Sequence, residues 1–277
     1  MVKMERIAVS GGKGGTGKST FAILFALKML NLGKKVVLCD CDVECPNDHL
    51  LLDQKLERSK PIYQLFPKLD KRKCKKCGLC SRVCRKNAVF WVKGKYPIFM
   101  KDLCISCGAC WKFCPNGAIK PEKEKIGEYF ITKVKKNFWL VTGRSKPGVS
   151  ETGLVVKETK KIATKVAERV GADYLIIDTA PGTHCNVIHA LMGCEKVYLI
   201  TEPTPLGAQS LKTILELVRK MKLKAEIVLN KATIGRKKEV ERIAKKFGKK
   251  ICVEIPYSEK LLRAYSRGRL EEVVDLI

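Results

Sequence analysis

The stretch from Ser10 to Thr20, SGGKGGTGKST, decides the class of fold. Its segment GKGGTGKS, which begins at Gly12, fits the phosphate-loop pattern G-x-x-x-x-G-K-S/T, in which backbone N–H groups wrap a phosphate. In this pattern Lys18 pairs the β- and γ-phosphates and the Ser19 hydroxyl ligates Mg²⁺. The predicted cofactor-binding residues of the loop are Gly12, Gly14, Gly15, Thr16, Gly17, Lys18, Ser19 and Thr20. The loop therefore predicts that this chain binds a nucleotide.

Strand and helix patterns alternate on both sides of this loop. The apolar runs before the middle of the chain are MERIAVS (4–10) and KVVLCD (35–40). Those after it are DYLIID (173–178), KVYLIT (196–201), AEIVLN (225–230) and KICVEIP (250–256). Short apolar strands that alternate with helices are typical of a parallel sheet. We therefore predict an α/β fold with a doubly wound, mostly parallel sheet of the P-loop NTPase type.

The middle of the chain breaks this alternation. Residues 61–125 are rich in cysteine and contain a repeat whose halves align from Cys74 and from Cys104. We predict that they form an inserted small α+β domain, and that residues 1–60 and 126–277 form the P-loop domain. Residues 126–150 predict a short hairpin and a loop, followed by a helix from Glu151.

Each half of the repeat has the spacing C-x₂-C-x₂-C-x₃-C. The eight cysteines are Cys74, Cys77, Cys80 and Cys84, then Cys104, Cys107, Cys110 and Cys114. The runs resemble those of bacterial ferredoxins, except that Arg85 stands where that pattern has proline. The resemblance implies two 4Fe-4S clusters, each with its fourth ligand from the other run: Cys74, Cys77, Cys80 and Cys114 for one, and Cys104, Cys107, Cys110 and Cys84 for the other. Two four-cysteine zinc sites are the alternative.

Composition limits the classes of protein to consider. The 277 residues include 14 cysteines and carry a formal net charge of +27, and residues 71–86 hold eight Lys or Arg and no Asp or Glu. The sequence has neither an export signal nor an apolar run long enough to span a membrane, so we expect a cytoplasmic protein whose clustered cysteines bind metal. Such a basic segment attracts acidic partners.

Lys13 narrows the class of phosphate loop. The string KGGTGKST, which begins at Lys13, resembles the deviant phosphate loop of the MinD, ParA and Mrp ATPases, whose relatives include the nitrogenase iron protein. In that family the lysine at the Lys13 position reaches across a dimer interface to the partner's nucleotide. The resemblance implies a homodimer that forms with ATP, with Lys13, Lys18 and Asp42 as catalytic residues.

Further segments resemble the switches of this family. CDCDVECPN (39–47) resembles the first switch, which implies that Asp42 positions the attacking water and that Asp40 lies near the Mg²⁺. DYLIIDTAPGTHCNV (173–187) resembles the second switch, with Asp178 as its strand-end carboxylate and Gly182 free to move with the γ-phosphate. The strand end LNK implies that Asn230 lies against the adenine edge.

The other cysteines have simpler interpretations. Cys39, Cys194 and Cys252 lie in or beside apolar runs, so we expect them to be buried small apolar residues. Cys185 resembles in position a cysteine of the nitrogenase iron protein that holds a cluster between two subunits.

Three functions fit these features. The first is an ATPase that couples dimer rearrangement to electron transfer through the two clusters, with an acidic redox partner. The second is an ATP-dependent carrier or scaffold for iron–sulfur clusters with a client protein, and the third is a positioning ATPase in which the clusters are structural. The sequence contains no separate DNA-binding segment, so we do not expect nucleic acid as a partner. The C-terminal segment is too mixed in charge to be a basic amphipathic membrane anchor.

Overall fold

The computed structural model describes residues 4–149 and 151–277. Its strands are β1 (Glu5–Ser10), β2 (Val36–Cys41), β3 (Lys60–Leu69), β4 (Val89–Phe90), β5 (Ile98–Phe99), β6 (Ile119–Lys135), β7 (Phe138–Ser145), β8 (Tyr174–Thr179), β9 (Lys196–Thr201), β10 (Lys224–Asn230) and β11 (Ile251–Ile255). Its α-helices are α1 (Lys18–Asn31), α2 (Asp48–Leu51), α3 (Leu79–Arg82), α4 (Ala109–Lys112), α5 (Gly153–Val170), α6 (Cys185–Leu191), α7 (Pro205–Lys220), α8 (Lys238–Lys246) and α9 (Glu259–Ser266). Short 3₁₀ turns cover Lys101–Leu103 and Leu270–Leu276.

The main sheet of the described residues has nine strands in the order β11-β10-β9-β1-β8-β2-β7-β6-β3. Strand β1 lies between β8 and β9 and pairs with both in parallel, and β2 pairs in parallel with β7 and β8. All six residues of β2 are buried, as expected for a central strand with both faces covered. This architecture confirms the predicted α/β P-loop NTPase fold with a large, mostly parallel sheet.

The core of this sheet is built on α1. The helix buries Phe21, Leu24 and Leu27 in a cluster that also includes Leu38 of β2 and Ile176 of β8. Helix α1 begins at the phosphate loop, so the packing that stabilises the core also fixes the start of the helix at Lys18.

The region 126–150 contains longer strands than the sequence predicted. Strand β6 has 17 residues and begins at Ile119, and Lys136 and Asn137 connect it to its sheet neighbour β7. Asn137 has φ of 65°, a left-handed conformation that Asn tolerates in tight turns. The connection is therefore a hairpin, as predicted.

The chain forms two compact units. The first contains the chain up to Lys60, Tyr129–Arg144 and Gly153–Ile277, and the second contains Pro61–Glu128 and Ser145–Thr152. Within the second unit, Phe90 of β4 pairs with Ile98 of β5 in a small antiparallel sheet. This unit includes residues outside the predicted 61–125 insertion.

Candidate functional site

The phosphate loop connects β1 to α1 at the carboxyl end of β1. Two positions in it have no room for a side chain: a Cβ on Gly12 would lie 2.3 Å from the backbone oxygen of Ser210, and one on Gly17 would lie 2.3 Å from Nδ2 of Asn230. Gly17 also has φ of 92°, which favours glycine. Neighbouring segments therefore hold the loop closely at both of these glycines.

Lys18 and Ser19 begin α1 and point towards acidic groups. Lys18 is 7% exposed, and its Nζ donates to the backbone oxygen of Lys13 at 3.3 Å. Burial lowers the pKa of Lys18, and the carboxylates of Asp178 and Asp42 oppose that shift. The Ser19 hydroxyl donates to Oδ2 of Asp178 at 2.6 Å. The structure thus brings together the loop residues and the strand-end carboxylate of β8.

Three buried carboxylates lie beside Ser19. Asp40 of β2 and Asp178 of β8 are register partners, and Asp48 follows at the start of α2. One carboxylate oxygen from each lies within 4.8 Å of the other two. Burial raises the pKa of Asp178 to about 7, and burial with repulsion from its neighbours raises those of Asp40 and Asp48. Asp48 was not expected here from the sequence, although its place in CDCDVECPND, eight residues after Asp40, is a signal.

Asp40 organises the loop that follows β2. Its Oδ1 accepts from the backbone N–H of Asp42 at 3.1 Å, and its Oδ2 accepts from those of Asn47 at 3.1 Å and Asp48 at 3.2 Å. Asp42 is partly buried, which raises its pKa, while Lys18 lowers it. These bonds fix the backbone from Asp42 to Asp48, so the candidate catalytic carboxylate is held at one end of a braced loop.

Lys13 forms an ion pair within its own chain. Its Nζ donates to Oε1 of Glu202, and Lys231 lies 3.4 Å from the other carboxylate oxygen. Glu202 was not expected here from the sequence; it follows β9 in TEPTPLG and lies at the same edge of the sheet as the phosphate loop. In this arrangement Lys13 is tied to its own protomer.

A cavity of about 310 Å³ opens beside the loop. Its lining includes residues of the phosphate loop, with Asp42, Asn230 and the segment 256–265 that follows β11. Asn230 donates through Nδ2 to the Thr16 backbone oxygen at 2.8 Å. The N–H of Gly182, whose φ is 94°, donates to the Gly11 oxygen at 3.0 Å. The site therefore combines a phosphate-sized cradle, a lysine, a hydroxyl and carboxylates around one open space.

Residues 7–271 match the family described as the CobQ/CobB/MinD/ParA nucleotide binding domain. The chain belongs to this family. It is 36% identical over 270 residues to the uncharacterized protein MJ0579 of Methanocaldococcus jannaschii. This alignment covers 97% of this chain and 91% of that protein. The uncharacterized protein MJ0578 of the same organism is 34% identical over 227 residues, or 82% of this chain and 78% of that one.

Solved structures of MinD proteins share the fold of this CobQ/CobB/MinD/ParA chain. The septum site-determining protein MinD of Pyrococcus horikoshii, complexed with Mg-ADP, superposes with a TM-score of 0.58 at 14% identity, over 99% of this chain and 94% of that chain. The MinC:MinD cell division protein complex of Aquifex aeolicus gives a TM-score of 0.57 at 17% identity, over 98% and 88%. The family and its fold thus support nucleotide binding at the loop described above.

The second unit of this CobQ/CobB/MinD/ParA chain brings the eight repeat cysteines into two groups. One cavity is lined by Cys74, Cys77, Cys80 and Cys114. Another is lined by Cys84, Cys104, Cys107 and Cys110. Each group takes three cysteines from one run and the fourth from the other.

The backbones of the two runs match. Lys76 and Ser106, which precede the second cysteine of each run, have φ of 54° and 55°, and the glycines that follow that cysteine have φ of 73° and 82°. The backbone N–H of Ala88 donates to the Cys84 sulfur at 3.3 Å, and Ala118 donates to Cys114 at the same distance. N–H donors aimed at sulfur stabilise thiolates and tune iron–sulfur clusters.

The spacing of the sulfur atoms tests the zinc alternative. A tetrahedral zinc would hold its sulfurs about 3.8 Å apart, as follows from Zn–S bonds of about 2.3 Å. Among residues 4–149 and 151–277, no three of these cysteines have sulfurs all within 4.8 Å of one another. In neither group, therefore, are three sulfurs gathered at the spacing of a single zinc site.

The remaining cysteines differ in exposure. Cys39 and Cys194 are buried, as predicted. The prediction for Cys252 is wrong, because it is exposed on β11, which lies at the edge of the main sheet. Cys185 is exposed at the start of α6, so it is accessible in one protomer. Among the described residues, we find no helix whose length and apolarity suit it to crossing a membrane.

Proposed function

We propose that this protein is an ATP-hydrolysing dimeric switch that couples its nucleotide state to electron transfer through two 4Fe-4S clusters. The observation that carries the proposal is the grouping of eight cysteines into two four-cysteine cavities within a chain of the MinD/ParA-type nucleotide-binding family. The MinD/ParA-like ATPase class follows from the family, and the electron transfer is the proposed step beyond it.

For hydrolysis, the loop residues hold the phosphates and Asp42 orients the attacking water. Phosphoryl transfer requires positioning and neutralisation of charge more than covalent chemistry. Lys18 supplies a positive charge at the β- and γ-phosphates, and Asp42 lines the same cavity as Lys18. Ser19 would hold a bound Mg²⁺ with Asp40 and Asp178 beside it, and the ion would supply charge neutralisation to the phosphates. Gly182 moves with the γ-phosphate, and Asn230 lies against the adenine edge in this proposal.

For dimerisation, Lys13 leaves Glu202 and reaches the nucleotide of the second protomer. The pair with Glu202 holds Lys13 at the same edge of the sheet in the single protomer. Release of this pair is then part of the energetic cost of forming the ATP-bound homodimer.

For electron transfer, the two cysteine groups hold the clusters and set their environment. Each group supplies four thiolates, and the bound clusters supply reversible one-electron chemistry. The N–H groups of Ala88 and Ala118 donate to the sulfurs of the crossed ligands Cys84 and Cys114, and hydrogen bonds to ligand sulfurs tune the potential of such clusters. Because each cluster takes a ligand from both runs, cluster binding also ties the halves of the second unit together.

The partner that exchanges electrons is an acidic protein in this proposal. The second unit, residues 61–128 and 145–152, holds 17 Lys or Arg against six Asp or Glu. Its surface also exposes apolar side chains, among them Phe90 at 56%, Ile98 at 61% and Phe113 at 63%. A unit with excess positive charge and exposed apolar groups suits an acidic partner, and such an encounter weakens as salt is added.

A carrier or scaffold for iron–sulfur clusters is the second candidate. Cys77 and Cys107, one ligand in each group, are exposed, so a recipient protein can reach them. The fold shared with MinD favours a third candidate, a positioning ATPase with structural clusters. Clusters that undergo reversible reduction and stay bound support electron transfer, whereas clusters that pass to an apo-protein support the carrier.

Iron content in paired variants tests the cluster ligands. In anaerobically prepared protein, Cys74→Ser and Cys114→Ser should each remove about four irons, and the double variant should remove no more than either single change. Cys74→Ser combined with Cys104→Ser should remove about eight. Equal losses from both double variants would contradict the crossed ligand sets, and stoichiometric zinc without acid-labile sulfide would refute the clusters.

ATP affinity in two redox states tests the coupling. The chain leaves β2 at Cys41 and enters the second unit at Pro61, so the loop of Asp42 is linked covalently to that unit within about twenty residues. Linkage then requires dithionite-reduced and oxidised protein to differ in ATP affinity, by about 5- to 150-fold for a coupling of ordinary size. Equal affinities by calorimetry, with cluster potentials unchanged by ATP, would move the conclusion to the carrier.

A further inference from the structure

Asp48 is a fully buried carboxylate without a hydrogen-bond partner for its side chain. It is 0% exposed, and within residues 4–149 and 151–277 neither Oδ1 nor Oδ2 meets a donor. The Oδ1 of Asp178, 1% exposed, and the hydroxyl of Thr142, 0% exposed, are likewise unpartnered. Buried polar groups are nearly always satisfied by protein, by water or by an ion, so unpartnered oxygens gathered at one place mark a site for a further group.

These atoms converge on one place in the fold. Asp40 is the register partner of Asp178 on β8 and of Thr142 on β7, so the three lie side by side across neighbouring strands. Asp48 adds a third carboxylate from α2, within 4.8 Å of those of Asp40 and Asp178. Three carboxylates this close repel one another strongly when charged and shielded from water.

One cation, Lys18, interacts with Asp178 of this cluster, and it has other partners as well. Lys18 donates to the Lys13 backbone oxygen, and it lines the nucleotide cavity together with Asp42. The carboxylate oxygens of Asp40 accept hydrogen bonds from N–H groups of its own loop, whereas the carboxylate of Asp48 accepts none from the described residues. Lys18 thus offsets part of the charge of Asp178, and none of the groups that act most strongly on Asp40 and Asp48 is a cation.

We propose that Asp40, Asp48 and Asp178 form a cation site that a divalent ion of the Mg²⁺ or Mn²⁺ class occupies in the absence of nucleotide. Carboxylate and hydroxyl oxygens are the ligands that such hard cations prefer, and six-coordinate ions of this size hold opposite ligands about 4 Å apart. This site goes beyond the proposed function, in which Mg²⁺ arrives with the phosphates and is held by Ser19.

The bound ion has a structural consequence for the loop after β2. Asp40 braces the backbone at Asp42, Asn47 and Asp48, so an ion that joins Asp40 and Asp48 ties both ends of this loop to β8. The ion thus orders the Asp42 segment before ATP arrives.

Binding of Mn²⁺ to the nucleotide-free holoprotein tests the site. The full chain is prepared anaerobically with its metal centres oxidised, and loss of nucleotide is verified by chromatography of an acid extract. Titration followed by the electron paramagnetic resonance of free Mn²⁺ should show one bound ion per chain. Asp48→Asn, which keeps the side-chain shape, should weaken this binding about tenfold or more.

Asp53→Asn is the matched control, because Asp53 is an exposed carboxylate five residues away whose left-handed backbone suits Asn. It should bind Mn²⁺ as the parent does. Lys18→Ala separates this proposal from the nucleotide site, because it should lose ATP binding and keep Mn²⁺ binding without nucleotide.

Thermal unfolding gives a second readout. Added Mn²⁺ should raise the Tm of the parent and of Asp53→Asn, and should leave that of Asp48→Asn unchanged, while without metal Asp48→Asn should be at least as stable as the parent. Absence of Mn²⁺ binding by the nucleotide-free parent, or parent-like Mn²⁺ binding and stabilisation in Asp48→Asn, would overturn the site and indicate a cluster neutralised by protons. If Asp48→Asn does not fold, Asp48→Ser is used with the same two measurements.

Discussion

The ion pair between Lys13 and Glu202 should oppose formation of the ATP-bound dimer. Lys13 cannot contact its own Glu202 and the partner's nucleotide at the same time. The side chains of Lys13 and Glu202 are 25% and 11% exposed, so solvent screens the pair in part. Exposed ion pairs stabilise by up to about 1 kcal/mol, and we take that upper value for this half-buried one.

A symmetric dimer must release two such pairs. The total cost is about 2 kcal/mol, which corresponds to roughly 30-fold in the dissociation constant of the dimer. Glu202→Gln removes the charge that holds Lys13 and leaves the lysine free for the partner's nucleotide. We therefore expect Glu202→Gln to strengthen the ATP-dependent dimer by about 10- to 30-fold.

Sedimentation velocity with ATP measures this effect, in an Asp42→Ala background that prevents turnover. Glu254→Gln is the control, because Glu254 pairs with Lys237 on the surface and its loss should leave dimerisation unchanged. Lys13→Ala should abolish the gain from Glu202→Gln. Dimerisation of Glu202→Gln that equals or falls below that of the parent would refute the competition for Lys13.

Three further predictions concern the loop, hydrolysis and the core. Gly12→Ala should abolish ATP binding, since its Cβ would lie 2.3 Å from the Ser210 oxygen, whereas Gly14→Ala, with nothing within 4 Å, should bind ATP within a few-fold of the parent by calorimetry. Asp42→Ala should bind ATP and lose turnover in a phosphate-release assay; normal turnover would exclude Asp42 as the residue that orients water. Phe138→Ala, at a fully buried position, should lower the free energy of unfolding by about 3–5 kcal/mol in urea, while exposed Phe90→Ala should change it little and should weaken binding of an acidic partner.

The sequence predicted the parts of the site that depend on local pattern. The phosphate loop is contiguous, so its glycines, Lys18 and Ser19 could be placed from spacing alone. Asp40 and Asp178 were identified because each ends an apolar run, and strand ends in a parallel sheet meet at one edge. The cysteine groups could be paired across the two runs from the resemblance to ferredoxins.

Contacts between distant segments could not be predicted from the sequence. Glu202 looks like an ordinary acidic residue there, and only the pairing of β9 with β1 brings it to the loop. Asp48 lies near Asp40 in sequence, but its approach to Asp178 depends on the pairing of β2 with β8. The exposure of Cys252 could not be predicted for the same reason. An apolar run predicts a strand, but whether that strand lies at the centre or at the edge of the sheet depends on pairing that no short segment specifies.

The position of β1 between β8 and β9 also sets the order in which the protein folds during synthesis. Ile7 pairs with Ile176, so β1 stays unpaired while the intervening residues are translated, for roughly 8 to 34 s at ordinary elongation rates. The second unit is complete at Thr152, before β8 has been made. The cysteine unit can therefore form on the ribosome ahead of the nucleotide site, so the proposed clusters would have their ligands in place before ATP has a site.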